Sequence, residues 1–131
     1  MEVTQNKHSM MQLIRLYFNE FSFENSGLQN GQEDPKMTVS MSVSPIDDTK
    51  FTVILTFKVD AGKAYRLSCS LTGIFEVAGG LTDENTFLQK NAIAVMFPYL
   101  RSQITLLTSQ PGMTPLIIPI LNINTLLESD N

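Results

Sequence analysis

The chain is short of nearly everything that catalytic and metal sites are built from. Its 131 residues include one cysteine, one histidine and no tryptophan. The single cysteine, Cys69, excludes an internal disulfide and suits a reducing cytosol. One Cys and one His also fall short of a zinc site of the usual kind. The histidine, His8, sits in a polar leader, so no histidine-based nucleophile pair can be built on the folded part. Charged residues make up only 17%, with 9 Lys and Arg against 13 Asp and Glu and a net charge of −4. The basic residues are scattered singly, and the positive footprint that nucleic-acid binding needs is missing. No apolar run approaches the roughly eighteen residues of a membrane helix. The start, "MEVTQNKHSMMQ", lacks the charged-then-apolar build of a signal peptide. What is left is a soluble, cytoplasmic chain, long enough to bury about two-thirds of its unfolded surface in one domain.

The remaining chemistry-bearing residues have structural explanations. Cys69 lies mid-strand on the face of Leu67 and Leu71 and reads as a small buried hydrophobe. Asp47-Asp48 falls in a turn, and Asp83-Glu84 at a helix start, where acids suit the helix dipole. Gly79-Gly80 lacks the lysine and spacing of a phosphate loop and reads as a turn. The sequence does not describe an enzyme and calls for no cofactor.

The first eleven residues read as a flexible leader, and 12–131 as a single domain. "QLIRLYFNEFSFE" (12–24) reads as a long strand. Leu13, Arg15, Tyr17, Asn19, Phe21 and Phe23 fall on one face, with Ile14, Leu16, Phe18, Glu20, Ser22 and Glu24 on the other. A Gly/Asn/Pro loop follows over 25–35. "KMTVSMSVS" (36–44), "KFTVILTFKVD" (50–60) and "AYRLSCSLTGIF" (64–75) each alternate apolar and polar residues, joined by "PIDD" and "AGK". These four strands form a meander or a variant of one. The period then changes. Residues 81–112 read as helix in two parts: Thr82 is the N-cap, Pro98 kinks or restarts the helix, and Gln110-Pro111-Gly112 stops it. Leu100, Ile104, Leu107 and Thr108 form its apolar stripe. "INTLLESDN" closes the chain as a short helix or frayed tail.

Between the helix and that tail lies "MTPLIIPILNI" (113–123), an apolar ribbon that Pro115 and Pro119 bar from helix and make awkward in a sheet. With Ile14, Leu16, Phe18, Ile54 and Ile74 on second strand faces, it supplies more apolar surface than one sheet and one helix need to cover. The surplus points to a subunit interface, a binding groove, or both.

Three blocks, "LIRLYFNEFSFEN" (13–25), "GIFEVAG" (73–79) and "MFPYLRSQITLLTSQPGMTPLIIPILNINTLL" (96–127), resemble in order and spacing the SecB family of protein-export chaperones. The family's "FPYxR" stands here as Phe97-Pro98-Tyr99-Leu100-Arg101, and its "GIF" as Gly73-Ile74-Phe75. The resemblance implies an α+β fold, a four-stranded antiparallel sheet with a long kinked helix and a short C-terminal helix on one side, assembled as a homotetramer of two dimers. It implies an ATP-independent holdase that binds unfolded preproteins in hydrophobic grooves. Carried over, the groove residues are Phe75, Met113, Leu116, Ile118 and Ile120, and the oligomer contacts Leu67, Cys69 and Leu71. The helix from Phe97 packs between dimers. Docking of the export motor ATPase falls on Glu20 and Glu24, but Arg66 and Ser68 replace its other two positions, and the chain ends without an acidic tail. Both departures argue against motor docking. SecB-like relatives also guard antitoxins, and a non-catalytic oligomeric adaptor is the alternative outside the family.

Overall fold

The computed structural model describes residues 11–27, 34–80 and 85–118. His8, Thr82, Asp83-Glu84, Ile120 and the C-terminal helix expected from the sequence lie outside them. Four strands, β1 (Met11–Asn25), β2 (Lys36–Pro45), β3 (Lys50–Asp60) and β4 (Tyr65–Val77), precede one helix, α1 (Asn85–Leu107). The sheet is antiparallel throughout, in the order β1-β4-β3-β2. Strands β2 to β4 form the meander. β1 crosses to the far edge and pairs with β4, and at its end the Ser26 N–H donates to Ala64 O at 3.0 Å.

Strict alternation sets the inner face of the centre. Phe51, Val53, Leu55, Phe57 and Val59 of β3 are buried, as are Leu67, Cys69, Leu71, Phe75 and Val77 of β4. Helix α1 packs on these two strands, presenting Leu88, Ala92, Ile93, Met96, Phe97, Leu100 and Ile104 at helical spacing. Gly73 makes the fit possible. A Cβ there would stand 2.9 Å from Phe75 Cε1 and 3.0 Å from Met96 Sδ.

Two expectations need correction. Of the two readings of Pro98, a kink or a restart, the restart falls: one helix runs unbroken through Pro98. Proline leaves the carbonyl of residue 94 without its helical partner, and both Ala94 and Pro98 are on the solvent-exposed side of the helix, where the lost bond costs least. The faces of β1 also differ from simple alternation. Register shifts between Leu13 and Arg15 and between Phe18 and Glu20 each insert an extra residue. Each shift flips the side-chain phase, so Leu13, Leu16, Phe18, Phe21 and Phe23 all pair with inner-face positions of β4. Arg15, Tyr17, Glu20, Ser22 and Glu24 share the outer face, and the Arg15 guanidinium lies 4.7 Å from the Tyr17 ring centroid. Leu16 and Phe18 are therefore core-side residues, not second-face surplus.

Candidate functional site

Helix α1 hands over to the apolar ribbon through a tight turn. Pro111 presets φ, Gly112 adopts φ +82°, and the Met113 N–H donates to Gln110 O at 3.0 Å, the geometry of a type II turn. Residues 114–118 then run back along the helix without joining either regular element. Three of their main-chain groups, on Leu116 and Ile118, are met by side chains of the helix and its end instead. Thr108 Oγ1 accepts the Leu116 N–H at 2.8 Å and donates to Ile104 O at 2.9 Å. Thr105 Oγ1 donates to Leu116 O at 2.9 Å, and Arg101 Nε donates to Ile118 O at 2.8 Å. Positions 101, 105 and 108 share one flank of a helix. They hold Leu116 and Ile118 turned toward α1.

The consequence is an alternation of burial. Ile118 is 1% exposed and belongs to the core, while its neighbour Ile117 is 71% exposed. Leu116 and Met113 are half-buried. On the solvent side of α1, Val95, Tyr99 and Leu106 stand 38%, 52% and 64% exposed. Their spacings of four and seven put them on one face.

The residues that the resemblance assigns to a client groove are therefore split. Met113 and Leu116 lie at the surface, but Phe75 is enclosed and stacked on Phe51 at 5.5 Å between centroids. Ile118 is sealed as well, so neither side chain is open to solvent in this arrangement. The oligomer contacts assigned to Leu67, Cys69 and Leu71 meet the same objection. At 3%, 0% and 0% exposure their side chains are consumed by the chain's own core. Burial also pushes the Cys69 thiol up to about 12, which keeps it protonated and inert. Gly79 and Gly80 do form a turn, with φ of +88° and +90°. Among the described residues no group of three or more His, Cys, Asp or Glu could hold a metal ion, and no helix is long and apolar enough to cross a membrane.

Glu20 and Glu24 are exposed on the outer face of the sheet. Glu20 stands across from Ser70, and Glu24 across from Arg66. At that end Lys36, Asp60, Arg66 and Glu24 face one another in register across all four strands. Further along the same face, hydroxyls pair: Thr56 with Ser70 at 2.9 Å, and Thr72 onto Asn19 Oδ1 at 2.6 Å. A row of alternating charge is self-complementary, which blunts Glu24 as an anionic docking point.

Sequence reasoning missed Arg101, Thr105 and Thr108 as the residues that fix the ribbon, and Tyr99, Leu106 and Ile117 as exposed apolar positions. Their spacing of i, i+4, i+7 on one flank is in the sequence, but other polar residues such as Ser102 and Gln103 stand beside them and nothing singles the three out.

Comparisons with known proteins agree with this architecture. A family model described as preprotein translocase subunit SecB matches residues 4–131. The protein-export protein SecB of Paracoccus denitrificans (strain Pd 1222) is 29% identical over 119 residues, covering 80% of this chain and 67% of that protein. An uncharacterized protein of Methanocaldococcus jannaschii, MJ0357, is 34% identical over 58 residues, 44% of this chain and 37% of that one. Among solved structures, the Mycobacterium tuberculosis Rv1957 SecB-like chaperone, in complex with a ChAD peptide from the Rv1956 HigA1 antitoxin, superposes with a TM-score of 0.71. It is 14% identical and covers 87% of this chain and 89% of that one. A protein of unknown function from Streptococcus agalactiae superposes with a TM-score of 0.54 at 10% identity, covering 84% and 97%. These two likenesses carry the fold. The family match spans nearly the whole sequence, and with it this chain belongs to the SecB family.

Proposed function

We propose that this protein is an ATP-independent, non-enzymatic chaperone that holds unfolded polypeptides by their apolar side chains. The observation that carries this reading is the apolar surface left uncovered by a chain of this family: Val95, Tyr99 and Leu106 on one face of α1, and Ile117 on the ribbon that runs along another. Half-buried Met113 and Leu116 extend it. Burying one large apolar side chain yields about 1.5–3 kcal/mol. Four anchors give roughly 6–12 kcal/mol gross, before the cost of ordering the client. Micromolar binding needs about 8 kcal/mol, so a single site holds a client weakly. An assembly with several sites raises the effective concentration for one long client and turns weak contacts into firm capture. A folded protein hides its apolar residues and is passed over.

That assembly is a homotetramer, a dimer of dimers, in this reading. Its contacts come from exposed surfaces, the outer edge of β1 and part of that α1 face, and not from Leu67, Cys69 or Leu71. Service in export, with Glu20 and Glu24 meeting the motor ATPase, is the family's implied role. Arg66 opposite Glu24 and Ser68 beside it favour a second reading, a chaperone dedicated to an antitoxin.

The test is light scattering of an aggregating, chemically unfolded protein with one assembly per substrate chain. Suppressed scattering without nucleotide, and co-elution with the unfolded but not the folded substrate, support holding. Unchanged aggregation rules it out. An environment-sensitive dye separates the adaptor alternative, whose sealed oligomer leaves the dye dark.

A further inference from the structure

We infer that the 113–118 ribbon is a detachable strap, and that Ile118 fills, in the resting chain, an apolar slot that a client side chain takes over when the strap lets go. The inference rests on the polypeptide-holding function proposed above and adds a second, guarded site beside the exposed apolar residues. Ile118 shares one buried cluster with Leu100 and Ile104 of α1 and with the inner face of β3 and β4. Every other member from the sheet or helix sits on backbone tied into a ladder or helix. Ile118 does not. The main chain of 116–118 is held by the side chains of Arg101, Thr105 and Thr108, and 114–118 make no backbone–backbone hydrogen bond to another described residue.

Among the described residues, lifting the strap therefore breaks three side-chain bonds and withdraws Ile118 together with half-buried Leu116, while no strand pair or helical turn opens. This is a local event. The vacated slot is lined by apolar side chains, so it admits Leu, Ile, Val or Phe without regard to sequence. Lifting also frees the N–H and C=O of Leu116 and the C=O of Ile118, main-chain partners for an extended client. A client that needs the lifted state binds more weakly by the fraction of molecules that are lifted. Loosening the strap must then tighten binding, whereas loosening a rigid wall on which clients lie would weaken it. One hydrogen bond is worth a factor of about five in that equilibrium.

The experiment compares wild type with Thr105→Val, at a half-buried position, and Ile118→Ala. The probe is a dye-labelled synthetic peptide of Leu residues spaced by Gly and Ser without a regular period, which has no stable fold, followed by anisotropy. Hydrogen exchange of the Leu116 amide reads strap opening directly. Expected are faster Leu116 exchange in Thr105→Val, with peptide binding tightened about fivefold, and tighter binding by Ile118→Ala, whose slot is empty. If Ile118→Ala does not fold, Thr105→Val decides alone. Unchanged Leu116 exchange in Thr105→Val, or faster exchange with equal or weaker peptide binding, overturns the strap and leaves the chaperone reading standing. A wild-type protein that binds no peptide overturns both.

Discussion

The centre of the sheet and the ribbon both alternate buried and exposed side chains, yet they reach that pattern by different means. In β3 and β4 main chain pairs with main chain, residue after residue, from Lys50 opposite Glu76 to Asp60 opposite Arg66. In the ribbon the main chain of Leu116 and Ile118 is answered by Arg101, Thr105 and Thr108. A ladder is cooperative, because no single side chain supplies its bonds. A latch made of side chains can be dismantled one residue at a time. The sheet is built to persist and the ribbon to be adjustable, although both bury apolar residues to the same depth: Leu55 is 0% and Ile118 1% exposed.

The sharpest way to break the comparison is to damage the sheet and ask whether the ribbon notices. Phe57 is 0% exposed at the middle of β3. Phe57→Ala is expected to cost about 3–5 kcal/mol through lost burial and the cavity left behind, read from denaturant midpoints. Cys69 reports the same event chemically. Buried, and protonated because its thiol is pushed up to about 12, it resists alkylation while the sheet is intact. Alkylation in Phe57→Ala must therefore speed up along with global unfolding. Next in size is Gly73→Ala. The added methyl meets Phe75, which is stacked on Phe51, and the more yielding thioether of Met96. Overpacking of this kind costs about 1–3 kcal/mol, and a neutral midpoint would show that the inner face is looser than its distances suggest.

Thr108→Val acts on the other region. The Ile104 carbonyl keeps the Thr108 backbone N–H at 3.0 Å, so only the Leu116 N–H loses its partner. The expected loss is about 1 kcal/mol, since the strap can lift and hydrate the orphaned donor. Leu116 amide exchange should accelerate while Cys69 alkylation stays at the wild-type rate. Coupled acceleration of both would erase the distinction between adjustable ribbon and persistent sheet.

How far the sequence foretold this depends on where polarity alternates without interruption. β2 and β3 were legible because Met37 to Val43 and Phe51 to Val59 never break phase. β1 was not, because its extra residues at Ile14 and Asn19 carry no mark that distinguishes a bulge from the next step of a strand. Pro98 gave no sign that it and Ala94 lie on the exposed side of the helix, where a missing backbone bond is tolerated. The ribbon is the clearest case. Ile117 and Ile118 are chemically identical neighbours, and no propensity says which turns inward. The spacing of Arg101, Thr105 and Thr108 decides it, and that is visible only once the ribbon is known to run back along α1. The family blocks conveyed the fold as a whole. They gave no sign that Phe75 and Ile118 are buried, because a resemblance transfers position along the chain and not the depth at which a side chain comes to rest.

The sheet too has turns where a side chain does the work of main-chain pairing, and one of them sets the smallest effect. At the β2–β3 turn, Asp47 Oδ1 accepts the N–H of Thr49 at 2.9 Å and of Lys50 at 2.8 Å. These bonds, Thr49 first, hold the carboxyl below its ordinary value of 3.8. A pKa lowered by folding means that stability is present in full above that ordinary value and drains away as pH falls through the folded one. The window lies below about pH 4. Asp47→Ala should loosen this turn at neutral pH, seen as faster exchange of the Thr49 and Lys50 amides. Asp47→Asn keeps an oxygen acceptor and should hold the turn while losing its acid sensitivity. If the latch principle is general, both variants leave the ladder beyond Thr52 protected, as Thr108→Val leaves the core protected beneath the ribbon. If exchange instead rises along all of β3, the hairpin is nucleated by Asp47, and a side-chain latch can govern a ladder after all.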